Sequence, residues 1–201
     1  MSLTFDEATH TYRFGGQVVP GVTSILAPLS DFSRVPPATL EAASQFGRAV
    51  HLACELDDLG ELDEAALDPA LRPYLQAWRE FSREYGVVWA GIEERLYHPT
   101  LRYAGTADRI GEVAGRYAVV DIKSTAALYP AVGPQLAAYA HAANKPSADR
   151  IAVQLKADGT YVAKPHNGAS DFAVFAGLLT VRNWCAQHAV DPQFTAFTHL
   201  N

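Results

Sequence analysis

The sequence predicts an α/β (α+β) fold: a central mixed β-sheet flanked by helices, preceded by an N-terminal hairpin and a helical segment. Two observations carry this. The order of elements is helices, three strands, a helix, two strands and a closing helix, which suits helices packed on a mixed sheet. Hydrophobic residues make up 49% of the 201-residue chain and charged residues 19%, enough apolar material for a core. No repeat, low-complexity tract or long linker interrupts the pattern. The expectation is one domain over 1–201, with hairpin and helices in 1–85 and the core in 86–188.

The elements follow in order. Leu3–Phe5, Thr11–Phe14 and Gln17–Val19 alternate as short strands, with Gly15-Gly16 as the hairpin turn. Val22–Leu29 reads as a short helix with Thr23 or Gly21 near its cap, and Ser30–Pro37 as a loop. Thr39–Leu59 carries Leu40, Ala43, Phe46, Val50 and Ala53 near the helical period. An acidic connection, 60–68, leads to a helix over Pro69–Tyr85 with Leu71, Leu75, Trp78 and Phe81 on one side. Val87–Tyr97, Tyr103–Glu112 and Tyr117–Lys123 are strand-like, the last rich in β-branched residues. Gly133–Ala143 is a helix; Arg150–Leu155 and Thr160–Ala163 flank an Asp158-Gly159 turn. Asp171–His188 closes the fold, with Ser170 or Asp171 as its N-cap. The Trp78–Phe81 stripe and Trp184 read as core rather than as base-stacking platforms.

Charge and cysteine content exclude several classes. Twenty-two acids oppose sixteen bases, a net of −6, which argues against a broadly basic nucleic-acid coat or a membrane-surface binder. Seven of those acids (Glu55, Asp57, Asp58, Glu61, Asp63, Glu64, Asp68) lie between Arg48 and Arg72 with no base among them. Without them the balance is 15 acids to 16 bases, so the rest of the chain is close to neutral. The segment reads as a solvated connection. Cys54 and Cys185 are far apart and lack the spacing of zinc or iron–sulfur ligands, so both read as small apolar groups. The first ten residues lack the pattern of a signal peptide, and no apolar run reaches membrane-spanning length. The expected location is the cytoplasm, with no membrane partner.

The chemistry concentrates in Gly105-Thr106-Ala107-Asp108-Arg109-Ile110 and Val119-Val120-Asp121-Ile122-Lys123-Ser124. Strand alternation puts Asp121 and Lys123 on one face and Val120 and Ile122 on the other. Two carboxylates on adjacent strands favour a hard divalent cation, and a nearby lysine can orient water and stabilise charge on a phosphate. Alone, the D-x-K spacing reads more simply as a surface ion pair on an edge strand.

The ordered set of motifs changes that weighting. Phe46-Gly47-Arg48-Ala49-Val50-His51, Ile92-Glu93-Glu94-Arg95-Leu96, the G-x-x-D of Gly105–Asp108, the D-x-K of Asp121–Lys123 and the Q-x-x-x-Y of Gln135–Tyr139 occur in sequence. Together they resemble the PD-(D/E)XK nuclease superfamily, in its RecB-like exonuclease branch. Pro20–Leu26 resembles the P-S-V-T segment of phage-type and mitochondrial genome maintenance exonucleases, with Gly21 in place of the usual Ser. The resemblance spans roughly Phe5 to Ala143.

The resemblance implies a restriction-endonuclease-like core and a nuclease requiring Mg²⁺ or Mn²⁺, one or two ions, with no iron–sulfur cluster. It implies Asp108 and Asp121 as principal metal ligands, the Ile122 carbonyl as a further oxygen and His51 as a ligand from the helix. Lys123 would position the attacking water and oppose charge on the phosphate. Glu93 would add a carboxylate, with Glu94 as the competing register. Gln135 and Tyr139, four apart on one helix face, would support the site and contact nucleic acid. Arg48 and Arg109 are candidate phosphate contacts, and Ser124 a candidate donor to phosphate or a turn cap. The substrate would be linear single- or double-stranded DNA, and recombination or replication proteins would be natural associates in DNA recombination or repair. Rival readings are a structure-specific endonuclease and a catalytically silent nucleic-acid-binding or assembly module of the same fold. A hydrolase of some other substrate is more distant.

Overall fold

A computed structural model describes residues 2–30, 32, 35–125 and 127–191. Residues 31, 33 and 34 of the expected Ser30–Pro37 loop, and the tail from 192 onward, lie outside the described residues.

Two sheets organise the chain. The first is antiparallel, formed by β1 (Leu3–Asp6), β2 (Thr11–Phe14) and β3 (Gln17–Val19). Gly15 and Gly16, at φ +57° and +83°, turn the chain between β2 and β3. The second sheet contains β4 (Val88–His98), β5 (Tyr103–Val113), β6 (Arg116–Lys123), β7 (Asp149–Leu155) and β8 (Tyr161–Pro165), side by side in that order. β6 and β7 run parallel and every other pair antiparallel, so the sheet is mixed as expected. A parallel pair needs a crossover, and the helix α4 described below supplies it.

The helices are α1 (Val22–Leu26), α2 (Pro37–Leu59), α3 (Arg72–Tyr85), α4 (Val132–Ala142) and α5 (Asp171–His188). They cover both sheet faces. Val119 packs with α1, α4 and α5 through Val22, Leu136, Tyr139 and Phe175. Its neighbours Ala118, Val120 and Ile122 point the other way, against Val50 and Cys54 of α2 and Trp78 and Phe81 of α3. This alternation is the period of a strand buried on both sides. It also sends Asp121 and Lys123 to the α4 side.

The N-terminal sheet docks near the turn end of the β4–β5 hairpin, where β5 is not paired with β6. Phe14 stacks on Tyr97 at 3.9 Å between ring centroids, and the Tyr12 hydroxyl meets Thr106 Oγ1 at 2.8 Å. The Ala104 amide donates to the Pro20 carbonyl at 3.0 Å.

Several expectations need correction. The Val22–Leu29 helix ends at Leu26 and tightens into a 3₁₀ turn over Ala27–Leu29, where Pro28 lacks the amide that would continue the α-helix. Pro69–Leu71 is likewise a 3₁₀ turn that precedes α3. Ser170 occupies the N-cap of α5 but makes no capping hydrogen bond, and Asp171 pairs instead with Arg150 at 3.2 Å. Trp184 is 54% exposed rather than core; α5 is apolar around much of its circumference, so periodicity could not orient it. Cys54 and Cys185 are both buried.

The acidic stretch is a solvated connection only in part: Glu61, Asp63, Glu64 and Asp68 are exposed, but the others are not. Glu55, Asp57 and Asp58 lie in α2. Asp57 and Glu64 both bind Arg79, and the Asp68 side chain accepts the Ala70 amide at 2.9 Å. Asp58 accepts from Trp78 Nε1 and from Arg109. Among the described residues no helix is long and apolar enough to cross a membrane.

Candidate active site

The site forms where β5 and β6 part. Their ladder runs from Val113↔Arg116 to Arg109↔Val120 and stops there. Beyond it a side chain replaces the ladder: Asp108 Oδ2 accepts the Ile122 amide at 2.6 Å. The opened fork leaves a cleft of about 410 Å³ lined by His51, Glu55, Glu93, Asp108, Asp121 and Lys123, and closed on one side by Phe5, His10 and Tyr12 of the N-terminal sheet.

His51, Glu93 and Asp108 each offer a ligand atom within 4.8 Å of the other two. They come from α2, β4 and β5, so the sheet and its covering helix must both be in place to assemble them. His51 Nδ1 stands 3.6 Å from Asp108 Oδ2. Glu93 has φ +48°, a left-handed conformation that costs an L residue about 1–3 kcal/mol. It sits between the pairs Ile92↔Arg109 and Glu94↔Ala107, so the strain falls directly across from Asp108. Burial first, and then the Asp108 charge, push the Glu93 carboxyl up to about 8. Glu94 is exposed and does not line the cleft.

Asp121 lies beside this trio and is 2% exposed. That rules out an ordinary surface ion pair on an edge strand. Lys123 Nζ lies 2.8 Å from its Oδ2 and 3.0 Å from Oδ1. Gln135 Nε2 donates to Oδ1 at 3.1 Å, and stands 3.3 Å from the Tyr139 hydroxyl. Among the described residues no hydrogen-bond donor is well aimed at Oδ2. Burial raises the Asp121 carboxyl, and Lys123 opposes that rise. Burial alone would lower the Lys123 ammonium, but Asp121 and Asp108 outweigh it and hold the value above normal, so Lys123 stays charged. Tyr139 is buried and held well above the usual phenol value, so it remains a neutral hydroxyl.

Gly105 explains its own place in the motif. A Cβ there would lie 2.6 Å from Tyr139 Cε1 and 3.0 Å from Val22 Cγ2. The strand approaches α4 so closely that only a hydrogen fits.

Arg109 is corrected. Its side chain is fully buried, so it cannot reach a phosphate. Nε donates to Asp58 Oδ2 at 2.7 Å, Nη1 to the Asp108 carbonyl at 2.6 Å and to Glu93 Oε1 at 3.5 Å, and the guanidinium lies over Trp78. It braces the site from beneath. Arg48 is exposed on α2, held by Ser44 at 2.6 Å and Glu41 at 3.5 Å. Ser124 lines a neighbouring groove with it. Glu55 lines the cleft one helical turn beyond His51 and was missed in the sequence; the i, i+4 spacing was its signal.

The family model of the PD-(D/E)XK nuclease superfamily matches residues 59–179, more than half of the chain. The chain belongs to that superfamily. The match includes Glu93, Asp108, Asp121, Lys123, Gln135 and Tyr139; His51 and the N-terminal sheet precede it. The mixed sheet and flanking helices are those of the superfamily's restriction-endonuclease-like fold. No curated protein matches the chain. Among solved structures, the chain is similar to LHK-Exo, determined in complex with dAMP. That likeness has 13% identity and a TM-score of 0.45, and covers 85% of this chain and 93% of the other. As a member of this superfamily, the protein has a nuclease's fold with an acidic cluster in its cleft.

Proposed function

We propose that the protein is a Mg²⁺- or Mn²⁺-dependent deoxyribonuclease that degrades linear DNA from its ends. The observation that carries this is the convergence of His51, Glu93 and Asp108 within 4.8 Å beside the Asp121–Lys123 pair. The donor set suits a divalent cation. Its carboxylate oxygens match Mg²⁺ and Mn²⁺. Asp121 Oδ2, buried without an aimed hydrogen bond, is an acceptor lacking a full complement of partners. A cation would also relieve the repulsion between Glu93 and Asp108.

His51, Glu93, Asp108 and Asp121 would hold the ion, with the Ile122 carbonyl as a further oxygen. When bound, the ion supplies Lewis acidity, making water a stronger nucleophile and offsetting phosphate charge. Lys123 stays protonated through its pairing with Asp121, so its ammonium orients water and opposes charge building on the phosphate oxygens. Gln135 fixes the Asp121 rotamer through Oδ1, and Tyr139 backs Gln135. Arg48 and Ser124 contact the backbone of the DNA. The ordered motifs shared with the RecB-like branch support the choice of exonuclease, and DNA recombination or repair as its setting.

The test is a digestion series on end-labelled single-stranded, double-stranded and covalently closed DNA with Mg²⁺ or Mn²⁺. The expected result is nucleotide release from linear DNA only, absent in Asp121→Ala. Cleavage of closed circles would replace the exonuclease with an endonuclease. Inertness on every substrate would refute the reading.

A further inference from the structure

A second concavity, about 900 Å³, adjoins the cleft and shares Glu7, His51, Glu55, Glu93 and Lys123 with it. It runs between α2 and the segment that follows β6. Its apolar lining includes Phe32, Leu40, Leu52 and Tyr129, and its rim carries Arg48 and Ser124. Phe32, Leu52 and Tyr129 are all exposed, and the two rings meet edge to face at 5.4 Å. An exposed apolar patch rimmed by polar groups marks a binding surface.

We infer that this groove is the track of an unpaired nucleic-acid strand, whose bases stack on Phe32 and Tyr129 while Arg48 holds a backbone phosphate. The inference rests on the nuclease reading of the adjoining cleft. Three observations select this occupant. The groove is continuous with the site where a phosphodiester would lie. Arg48 and Leu52 are one helical turn apart on α2, so the cation and the apolar floor face the same strand. A duplex hides its base faces within its own stack and offers this lining little, whereas an unpaired strand presents every base face to an aromatic ring. Gly47 keeps the floor open: a Cβ there would stand 3.6 Å from Ser124 Oγ, so alanine fits and a longer side chain would enter the groove.

The test uses the full chain with a single-stranded phosphorothioate oligonucleotide carrying 2-aminopurine near one end, in Mn²⁺. Stacking is read as fluorescence quenching, and affinity is read against the matching duplex. The wild type should quench the probe and prefer the single strand. Phe32→Ala and Tyr129→Ala should each weaken binding about tenfold and reduce quenching. Gly47→Leu should weaken it similarly, and Gly47→Ala should not. Tyr129→Leu retains bulk without a ring and should behave as Tyr129→Ala, which guards against a folding defect. Equal affinity for duplex and single strand, no single-strand binding, or quenching unchanged in the variants would overturn the inference. Hydrolysis of ordinary DNA is measured separately. Stacking without hydrolysis refutes the nuclease reading alone, and hydrolysis without stacking refutes this inference alone.

Discussion

Asp108 Oδ2 accepts the backbone amide of Ile122 at 2.6 Å, where β5 and β6 have ceased to pair. One carboxylate therefore does two things. It caps the end of a β-ladder, and it stands in the cleft 3.6 Å from His51. Architecture and chemistry meet at this residue, and most substitutions around it should affect both.

Lys123→Met should separate them. It leaves the Asp121 carboxylate buried without its counter-charge. Stability should fall by about 2–3 kcal/mol, somewhat less than for a fully buried pair because Lys123 is 24% exposed. Adding Asp121→Asn should restore most of that loss while hydrolysis stays absent. Urea unfolding of the single and double variants checks this.

Glu93 should make the metal-free protein sensitive to pH. Its folded pKa of about 8 lies above the ordinary 4.5, so the folded state binds its proton more tightly. The resulting stability is complete below about pH 4.5 and is lost as pH rises to about 8. Glu93→Gln should remove this dependence and raise the metal-free Tm at pH 8 by at least about 2 °C. Thermal melts from pH 5 to pH 8 in a chelator measure it.

Arg109 and Arg48 should fail in opposite ways. Asp58→Asn leaves the buried Arg109 charge without its partner and should lower stability by about 3 kcal/mol or more. Arg109→Lys keeps the charge but loses the guanidinium's hydrogen bonds to Asp58, Asp108 and Glu93, and should also be destabilising. Neither should change the salt dependence of DNA binding. Arg48→Ala should leave Tm nearly unchanged and reduce the slope of log affinity against log salt by about one. Binding isotherms at several salt concentrations separate the two.

Gly105→Ala should be destabilising by about 1–3 kcal/mol, because its methyl would meet the buried Tyr139 ring and Val22. Activity should fall with it, since Tyr139 supports Gln135 and hence Asp121. A melt combined with a hydrolysis assay on the same preparation tests both effects.

The strands were legible because their side chains alternate: β6 shows Val-Val-Asp-Ile-Lys, and the face that carries Asp121 and Lys123 followed from parity alone. The contribution of Arg109 was not. Within Thr-Ala-Asp-Arg-Ile an arginine reads as solvent-facing, and its partner Asp58 lies 51 residues earlier on another element. The acidic segment misled for the same reason. Asp57, Asp58 and Glu64 pair with Arg79 and Arg109, which only tertiary packing brings near. The cluster His51–Glu93–Asp108 joins three elements, and its closeness depends on a left-handed residue within a strand, which no local pattern announces.

The metal centre proposed for His51, Glu93, Asp108 and Asp121 is a single site. Calorimetric titration of the full chain with Mn²⁺ tests it most directly, comparing wild type with Asp108→Ala and His51→Ala. Saturable binding is expected in the wild type, abolished by Asp108→Ala and weakened by His51→Ala. No binding in the wild type, or equal binding in all three proteins, would contradict it.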